Sequence, residues 1–278
     1  MKRTISTSFP EGTHTVLTMS YDDGQIHDRR LISIFNKYGI KGTFHLNSGF
    51  MGVREDGRDD DRRINADEVR TLYAGHEVSC HTVFHPTIAR CPITQVVRQV
   101  IEDREALEGM CGYPVRGMSY PNGSYNQEII DALPACGIEY SRVVGDTHDF
   151  AFPENYLAWK ATCHHSRNLM ENAKRFTELN KRQYLYMMYV WGHSYEFERG
   201  DEFNSWEHIE NFCRYIGGRD DIWYATNIEI VDYMNAAHNL KFTAAGDMVY
   251  NPNAIPVWIT VDVPDNNIKI EPGTTVNI

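Results

Sequence analysis

Two aspartates, Asp22 and Asp23, stand side by side at the end of an apolar run, residues 15–20. Such a run is typical of a buried strand. Adjacent carboxylates at the mouth of a strand repel each other unless something positive lies between them. A metal ion is the simplest source of that positive charge. The aspartate pair therefore predicts a metal site.

A pair of histidines, His81 and His85, follows another strand-like run, Glu77–Cys80. Imidazoles four residues apart point to one side of a helical turn, so both can bind the same ion. Two histidines and one aspartate form an open site with three protein ligands and water, as in catalytic zinc sites, whereas structural zinc sites are closed and favour cysteine. Paired histidines on a surface helix are often only solvated. Together with the aspartate pair, they favour a metal.

The motifs and their order resemble those of the polysaccharide deacetylase family, the NodB-homology group or carbohydrate esterase family 4. The family motifs T-F-D-D-G and H-S/T-x-x-H are similar to S-Y-D-D-G at 20–24 and H-T-V-F-H at 81–85. The third motif, R-x-P-Y-G, is similar in a stretched form to residues 116–123, and the fifth, L-x-H, to Trp191-Gly192-His193. The resemblance extends from about residue 13 to residue 235.

The resemblance implies roles for the aspartates of the first motif, the histidines of the second motif and the histidine of the fifth. Asp23 would bind the metal ion together with His81 and His85. Asp22 would act as the general base. His193 would be the general acid that protonates the departing nitrogen. A lone histidine is more often a hydrogen-bonded core residue, but its order after the other motifs favours the catalytic role.

The stretched third motif supplies four further candidates. Arg116 would orient Asp22, a task that suits the fixed geometry of a guanidinium group. Asn122 stands where the family has a tyrosine whose backbone N–H donates to the developing oxyanion. Because that donor belongs to the main chain, the change of side chain is compatible with function. Tyr120 and Pro121 are predicted to contact substrate.

Three further segments bear on the site. Trp191 lies two residues before His193, and its ring is predicted to stack on a sugar. The family's fourth motif, D-x-x-D-W, has no clean counterpart in residues 139–146, so the carboxylate that tethers the acid histidine is replaced or comes from elsewhere. His164 and His165 follow Cys163, and adjacent side chains on a strand face opposite ways, which argues against a shared ion. They are predicted to line the cleft or to be structural.

The predicted cofactor is one divalent metal ion, namely zinc, with cobalt or nickel as alternatives. A bound Zn²⁺ lowers the pKa of its water to about 7 and polarises an acyl carbonyl. The predicted function is metal-dependent hydrolysis that removes N-acetyl groups from an N-acetylated sugar or polysaccharide. One alternative is hydrolysis of another C–N amide or of an O-acetyl ester. A non-catalytic glycan-binding barrel is the other, and the retained aspartate pair argues against it.

The elements that would position these residues alternate between strand and helix, which implies a parallel sheet. The resemblance implies a distorted (β/α)7 TIM-like barrel of the NodB type, and in barrels the chemistry lies at the C-terminal ends of the strands. The predicted strands are Thr15–Ser20, Gly42–Leu46, Glu77–Cys80, Val115–Tyr120, Ile138–Val144, Leu157–Cys163, Tyr184–Val190 and Ile222–Ala225. Helices are predicted from Asp28 as N-cap to Gly39, from a capping box at Asn65 to Gly75, around 96–107, and over Gln127–Cys136, Asn168–Leu179, Trp206–Ile216 and Asn227–Ala237.

The pattern changes after Leu240, where proline-punctuated alternating segments predict a short antiparallel β appendage at 257–263, 267–270 and 274–278. The predicted domains are a barrel at 1–240 and a β extension at 241–278 that packs on it. About 38 residues are few for an independent carbohydrate-binding module without disulfides or metal. A packing role is therefore favoured.

Length and composition are compatible with a single large core, at 278 residues and 42% hydrophobic. The net charge of −11 argues against nucleic-acid or anionic-membrane partners and leaves a carbohydrate or small N-acetylated substrate.

The six cysteines form no C-x-x-C pair, which predicts reduced thiols. Residues 1–10 contain no apolar signal segment, so a cytoplasmic location is expected, or an extracellular one after removal of a leader. The charged run Arg54–Arg63 predicts a solvated loop. The sequence leaves the oligomeric state open.

Overall fold

A parallel sheet of nine strands forms the centre of the computed structural model, which describes residues 4–52, 62–261 and 266–278. The predicted solvated loop lies outside the described residues over 54–61. The sheet consists of β2 Thr15–Asp22, β3 Gly42–Leu46, β4 Glu77–Cys80, β5 Gly117–Ser119, β6 Tyr140–Asp146, β7 Trp159–Ala161, β8 Cys163–His164, β9 Tyr186–His193 and β10 Ile222–Tyr224. The strand order is β7-β6-β5-β4-β3-β2-β9-β8, and β10 pairs with the beginning of β2.

The strand β2 is central because it pairs with three parallel neighbours. Seven of its eight residues are buried, as expected for an apolar strand covered on both faces. In the register with β3 and β9, the last residue of β2, Asp22, lies opposite His45 and His193. The sheet itself therefore brings the predicted base and the predicted acid to one edge.

Helices follow most of the strands and cover the sheet. They are α1 Asp28–Tyr38, α2 Val69–Leu72, α3 Ile93–Cys111, α4 Gln127–Ala132, α5 Leu169–Thr177, α6 Trp206–Ile216 and α7 Asn227–His238. Gly39 ends α1 in a left-handed conformation, as predicted. The predicted N-cap Asp28 is instead the first helical residue, because His27 occupies the cap. Pro134 lies where α4 gives way to a 3-10 turn, which shortens the predicted helix.

The edges of the sheet approach each other around β7 and β9. The Thr162 N–H donates to the Tyr189 carbonyl at 2.8 Å, and the rings of Trp159 and Tyr189 lie 5.0 Å apart. The predicted strand at 157–163 is broken here into β7 and β8. The predicted fold class, a distorted TIM-like barrel of parallel strands and helices, is confirmed.

Two small antiparallel sheets complete the described structure. One consists of β1 Ile5–Ser8, β13 Val257–Val261 and β14 Asn266–Ile270; the other of β11 Lys241–Phe242, β12 Met248–Tyr250 and β15 Thr275–Asn277. The N-terminal strand thus pairs with the C-terminal extension, a pairing that the sequence did not predict. The division of the chain at residue 240 stays a prediction. Within the described residues, none of the helices has the length and apolar character needed to cross a membrane.

A buried glutamate, Glu77, lies at the N-terminal end of β4, away from the predicted site. Its carboxyl group accepts hydrogen bonds from the Tyr140 hydroxyl at 2.7 Å, the Thr43 hydroxyl at 2.9 Å and the Ile228 N–H at 3.0 Å. These partners are neutral. Burial raises the pKa of Glu77 to about 7, and the hydrogen bonds offset only part of that effect.

Candidate active site

The three predicted metal ligands converge at the C-terminal ends of β2 and β4. The Asp23 Oδ1 atom lies 3.7 Å from His81 Nε2 and 3.9 Å from His85 Nε2. Bonds of about 2.0–2.2 Å to a tetrahedral zinc ion place two ligand atoms about 3.3–3.6 Å apart. The three side chains therefore fit a small divalent ion, and their atoms are too far apart for hydrogen bonds to each other.

Unusual backbone conformations bring these ligands together. Asp23, Thr82 and His85 have φ values of 83°, 65° and 53°, in the left-handed region that non-glycine residues rarely adopt. The segment from His81 to His85 is an irregular loop, so the predicted helical turn is wrong although the convergence is real. The Asn47 side-chain amide donates to the carbonyls of His81 and Thr82 at 2.6 and 2.9 Å and fixes the loop. Strain held by the surrounding structure is common at functional sites.

Ser119, at the end of β5, sets the orientation of His81. The His81 Nδ1 atom lies 2.9 Å from the Ser119 carbonyl, which can only accept, so Nδ1 carries the proton and Nε2 keeps its lone pair for an ion. Burial lowers the pKa of His81 to about 4 against the opposing effect of the two aspartates, so the ring is neutral. The backbone N–H of His81 donates to Asp103 Oδ2 at 3.0 Å, and Asp103 also accepts from the Ser48 N–H at 2.8 Å.

Asp22 is buried beside this cluster and bonds to a buried arginine, Arg142. The Arg142 Nη2 atom donates to Asp22 Oδ2, and the Ser119 hydroxyl donates to Oδ1 at 3.2 Å. Burial raises the pKa of Asp22, but Arg142 and the neighbouring imidazoles, His81 among them, outweigh burial and hold it well below its usual range. The predicted base is therefore ionised and fixed in place.

The predicted role of Arg116 is wrong. Arg116 precedes β5, at the end of the sheet opposite to the site. Its guanidinium group binds the Asp232 carboxylate at 2.8 and 2.6 Å and the Glu139 carboxylate at 3.0 Å. A side chain tied to two carboxylates at that end cannot orient Asp22.

The arginine that orients Asp22 comes from the next strand. Counted back from Pro121 in the pattern R-x-P, the arginine position of the motif falls on Ser119. Ser119 is too short to bridge the charges, and Arg142 on β6 reaches the aspartate instead. The stretched alignment that selected Arg116 misplaced the motif by three residues.

Trp191 packs against Arg142 and is largely withdrawn from solvent. The Arg142 guanidinium lies 4.6 Å from the centre of the Trp191 ring, a cation–π contact. The indole N–H donates to Asp146 Oδ1 at 2.9 Å. Only 7% of Trp191 is exposed, which leaves little of the ring for a sugar. Its observed contacts are those of a residue that supports Arg142.

Residues of the third motif are divided between the core and the surface. Tyr120 is 1% exposed and its hydroxyl donates to the Leu157 carbonyl at 2.7 Å, so the predicted contact of this side chain with substrate is wrong. Tyr125 stacks on it at 4.9 Å and is 37% exposed. Pro121 is buried, and Asn122 is exposed with a φ of 56°. Their predicted roles stay predictions.

The carboxylate beside the predicted acid His193 is Glu196, in the turn that follows β9. Glu196 Oε2 lies 3.2 Å from His193 Nδ1 and accepts from the His193 backbone N–H at 3.2 Å. Burial alone lowers the pKa of His193, but Glu196 and the two aspartates outweigh burial and raise it. Glu196 stays ionised because its imidazole partners hold its pKa well below the usual range despite burial.

His164 and His165 do not face opposite ways, contrary to the expectation. His164 Nε2 lies 2.9 Å and His165 Nε2 lies 3.6 Å from the same Glu196 Oε2 atom. The reason is that β8 ends at His164, so strand alternation no longer applies to His165. Together with His193, these residues surround the Glu196 carboxylate.

Four residues of the site were missed by the sequence analysis, and two of them left a signal. Arg142 is a lone cation in a predicted buried strand, a placement that needs a charged partner. Glu196 lies three residues after His193, within reach of a short turn. Ser119 and Asp103 gave no such signal, because serine and aspartate are common at strand ends and on helix surfaces.

Comparison with known proteins finds similar sequences over part of the chain. The sequence model of the family described as polysaccharide deacetylase matches residues 10–141. A chitooligosaccharide deacetylase of Bradyrhizobium sp. (strain ANU 289) is 29% identical over 85 residues, which are 30% of this chain and 39% of that protein. One from Sinorhizobium fredii is 23% identical over 138 residues, which are 49% of this chain and 60% of that protein. The chain therefore spans less than two thirds of either relative.

Solved structures share the fold. A protein from Mycobacterium smegmatis superposes with a TM-score of 0.58 at 15% identity, covering 83% of this chain and 93% of that one. A family 4 carbohydrate esterase from Streptomyces lividans gives a TM-score of 0.51 at 13% identity, covering 77% and 93%. The family model matches residues 10–141, somewhat less than half of the chain, and the solved structures share its fold; the chain is therefore similar to polysaccharide deacetylases in its N-terminal part and has the fold of these structures.

Proposed function

We propose that the protein is a metal-dependent hydrolase that removes acetyl groups from an N-acetylated sugar or polysaccharide. One observation carries the proposal: an arginine-bound carboxylate and a carboxylate-bound imidazole flank three side chains that could hold a metal ion, at one end of the barrel. Hydrolysis of an amide needs a base, an acid and an electrophile in that arrangement. The catalytic unit is residues 1–240, with 241–278 as a packed extension.

Asp23, His81 and His85 would hold the ion. Two neutral imidazoles and one carboxylate are the donor set of catalytic zinc sites, with cobalt and nickel as alternatives. When bound, the ion supplies a Lewis acid that polarises the acyl carbonyl and lowers the pKa of water. The hydrogen bond from His81 Nδ1 to Ser119 keeps the ligand nitrogen unprotonated.

Asp22 would take the proton of the attacking water. Its position next to the metal ligand Asp23 brings its carboxylate to the reacting atoms, and Arg142 prevents it from binding the ion in place of Asp23. The salt bridge keeps Asp22 ionised before the reaction. As the water loses its proton, Asp22 becomes neutral while the Arg142 charge remains and favours return of the proton.

His193 would give a proton to the leaving nitrogen. Glu196 holds the Nδ1 proton of the ring, which leaves Nε2 as the atom that donates. The raised pKa of His193 keeps the ring protonated at a higher pH than an ordinary histidine. An amine leaves an acyl carbon only when protonated, so this acid is essential for an amide substrate.

The substrate would enter over an exposed rim. The backbone N–H of Asn122 is the proposed oxyanion donor, and Pro121 shapes the same turn. Phe84, between the two histidine ligands, is 56% exposed, and Tyr125 is 37% exposed. Exposed rings of this kind suit the flat faces of sugars. The names of the chitooligosaccharide deacetylase relatives support an N-acetylated glycan.

Acetate release from a panel of substrates tests the proposal. The purified protein is stripped of metal, reloaded with Zn²⁺, Co²⁺ or Ni²⁺, and incubated with N-acetylated sugars, chitooligosaccharides and acetylated xylan. Metal-dependent release from the N-acetyl substrates supports it. Release from O-acetyl esters alone would reassign the protein as an esterase. Binding without release of acetate from any substrate would favour the glycan-binding alternative.

A further inference from the structure

We propose that the second cluster, defined as His164, His193 and Glu196, is a second and weaker site for a divalent metal ion. Its three ligand atoms, two imidazole nitrogens and one carboxylate oxygen, all lie within 4.8 Å of one another. They are the same donor types that form the first cluster. The two clusters lie side by side at the ends of neighbouring strands.

Crowding around one oxygen favours an ion at this site. Glu196 Oε2 has His164 Nε2 at 2.9 Å, His193 Nδ1 and the His193 backbone N–H at 3.2 Å, and His165 Nε2 at 3.6 Å. The first three contacts are hydrogen bonds, and the fourth is longer than one; a carboxylate oxygen has two lone-pair directions, so it cannot accept all three with good alignment. A cation that displaced the two ring protons would take the same carboxylate oxygen and the two imidazole nitrogens as its ligands.

Access and charge allow an ion to enter. The His193 side chain is 23% exposed, whereas Glu196 and His164 are about a tenth exposed, so the cluster opens on the side of the cleft. Asp146 lies behind it, accepts from the His164 backbone N–H at 2.9 Å and pairs with Arg167 at 3.1 Å, so its negative charge is largely offset. Arg199 binds Glu196 Oε1 at 3.1 Å from a largely exposed position, and leaves Oε2 to the imidazoles.

The second site binds more weakly because an ion must displace protons there. The Ser166 N–H donates to His164 Nδ1 at 3.2 Å, so the proton of that ring lies on Nε2, toward Glu196. The ring must change tautomer before Nε2 can coordinate. In the first cluster Nε2 of His81 is already free.

Occupancy of this site would inhibit the enzyme. An ion on His193 Nδ1 excludes the doubly protonated ring that donates to the leaving group. This consequence rests on the proposed function, whereas the binding itself does not. Excess metal is therefore expected to lower activity that one equivalent of metal supports.

Titration of the metal-free protein with Co²⁺, followed by absorption spectroscopy and calorimetry, tests the proposal. The wild type is expected to bind two ions per chain, one tightly and one weakly. His164→Gln keeps an N–H donor for Glu196 but removes the imidazole ligand. It should weaken the second event by more than about 100-fold, beyond the 10- to 100-fold typical of outer-shell partners. His85→Ala should remove only the tight event.

His238→Ala is the matched control, because His238 is an exposed histidine at the end of α7. It should change neither event. Circular dichroism of each metal-free variant establishes that it folds. A wild type that binds one ion, with that event lost in His85→Ala, or a second event unchanged in His164→Gln, would overturn the proposal. A single event that is kept in His85→Ala and lost in His164→Gln would instead contradict the proposed function.

Discussion

The two clusters of imidazoles and carboxylates use the same residue types but differ in spacing. In the first, Asp23 Oδ1 lies 3.7 and 3.9 Å from the nitrogens of His81 and His85. In the second, Glu196 Oε2 lies 2.9 and 3.2 Å from His164 and His193. The wider spacing leaves room for an ion, while the closer spacing lets protons bridge the groups. The two clusters have the same residue types, so the backbone geometry decides the difference. It favours a metal ion in the first cluster and hydrogen-bonding protons in the second.

The backbones behind the clusters explain the difference. The first cluster is held apart by a loop with left-handed residues, fixed by Asn47 and Asp103. The second is held together by one tight turn, because His193 and Glu196 are three residues apart. Substitution of one residue at a time can separate metal binding by the first cluster from proton donation by the second.

The largest effect is expected at the first cluster. His81→Ala, or removal of metal by a chelator, should lower acetate release by about 1,000-fold or more, since a catalytic ion contributes several kcal/mol. Asp23→Asn should weaken metal retention, whereas Asp22→Asn should retain the ion and lose turnover. Elemental analysis beside kinetics measures both. Activity that survives chelation, or an Asp22→Asn protein without metal, would contradict the assignment.

At the second cluster, the loss should depend on the substrate. His193→Ala should lower amide hydrolysis by about 100- to 10,000-fold, the range of general acid catalysis, and spare much of the activity on an activated aryl acetate. The reason is that an aryl oxide leaves without a proton. Rates on both substrates are compared at equal metal occupancy. Equal losses would show that His193 acts structurally or as a metal ligand.

Arg142→Gln should lower turnover by about 10- to 100-fold, as expected for an outer partner of a site residue. Arg116→Gln is the matched control, because it removes an arginine from the opposite end of the sheet and should change turnover less than twofold. Adding Ser119→Arg to Arg142→Gln should restore part of the activity, since it returns the guanidinium to the motif position. A larger loss for Arg116→Gln than for Arg142→Gln would assign the orienting role to Arg116.

The smallest expected effect is on the pH dependence of stability, and it comes from one of two buried glutamates whose partners differ in charge. Glu196 has cationic partners and a lowered pKa, whereas Glu77 has neutral partners and a pKa raised to about 7 from 4.5. Stability from Glu77 is complete below pH 4.5 and falls as the pH rises through about 7. The free energy of unfolding should fall by about 1–2 kcal/mol between pH 5.5 and 7 through this group. Glu77→Gln should remove that part of the slope in urea titrations. An unchanged slope would show that Glu77 is already ionised.

Much of the fold could be predicted because alternating apolar runs mark parallel strands and capping signals mark helices. The strands β2, β3, β4 and β9 fall close to their predicted positions. Short strands such as β1 and β12 were missed, because a three- or four-residue segment has no measurable periodicity and is defined by its partner. Pairing between residues more than 200 positions apart leaves no local signal.

The convergence of the metal ligands was predicted from residue type and order, although the expected helical turn was not. The error at Arg116 has a physical origin: an alignment counts residues, whereas a guanidinium group must reach a particular atom. Arg142 can serve because parallel strands bring Ser119 and Arg142 to neighbouring positions in the sheet. A motif written as a linear sequence pattern cannot detect an arginine that is supplied by the adjacent strand.

The placement of His193 and Glu196 in one turn also bears on how such a site can be inherited. A histidine and its carboxylate on separate strands must be selected together and kept in register by the whole sheet. Here both lie within four consecutive residues, so a single recombination event could transfer them as a unit. A chimera that receives residues 191–199 in a barrel of the same fold would acquire the donor and its orientation at once.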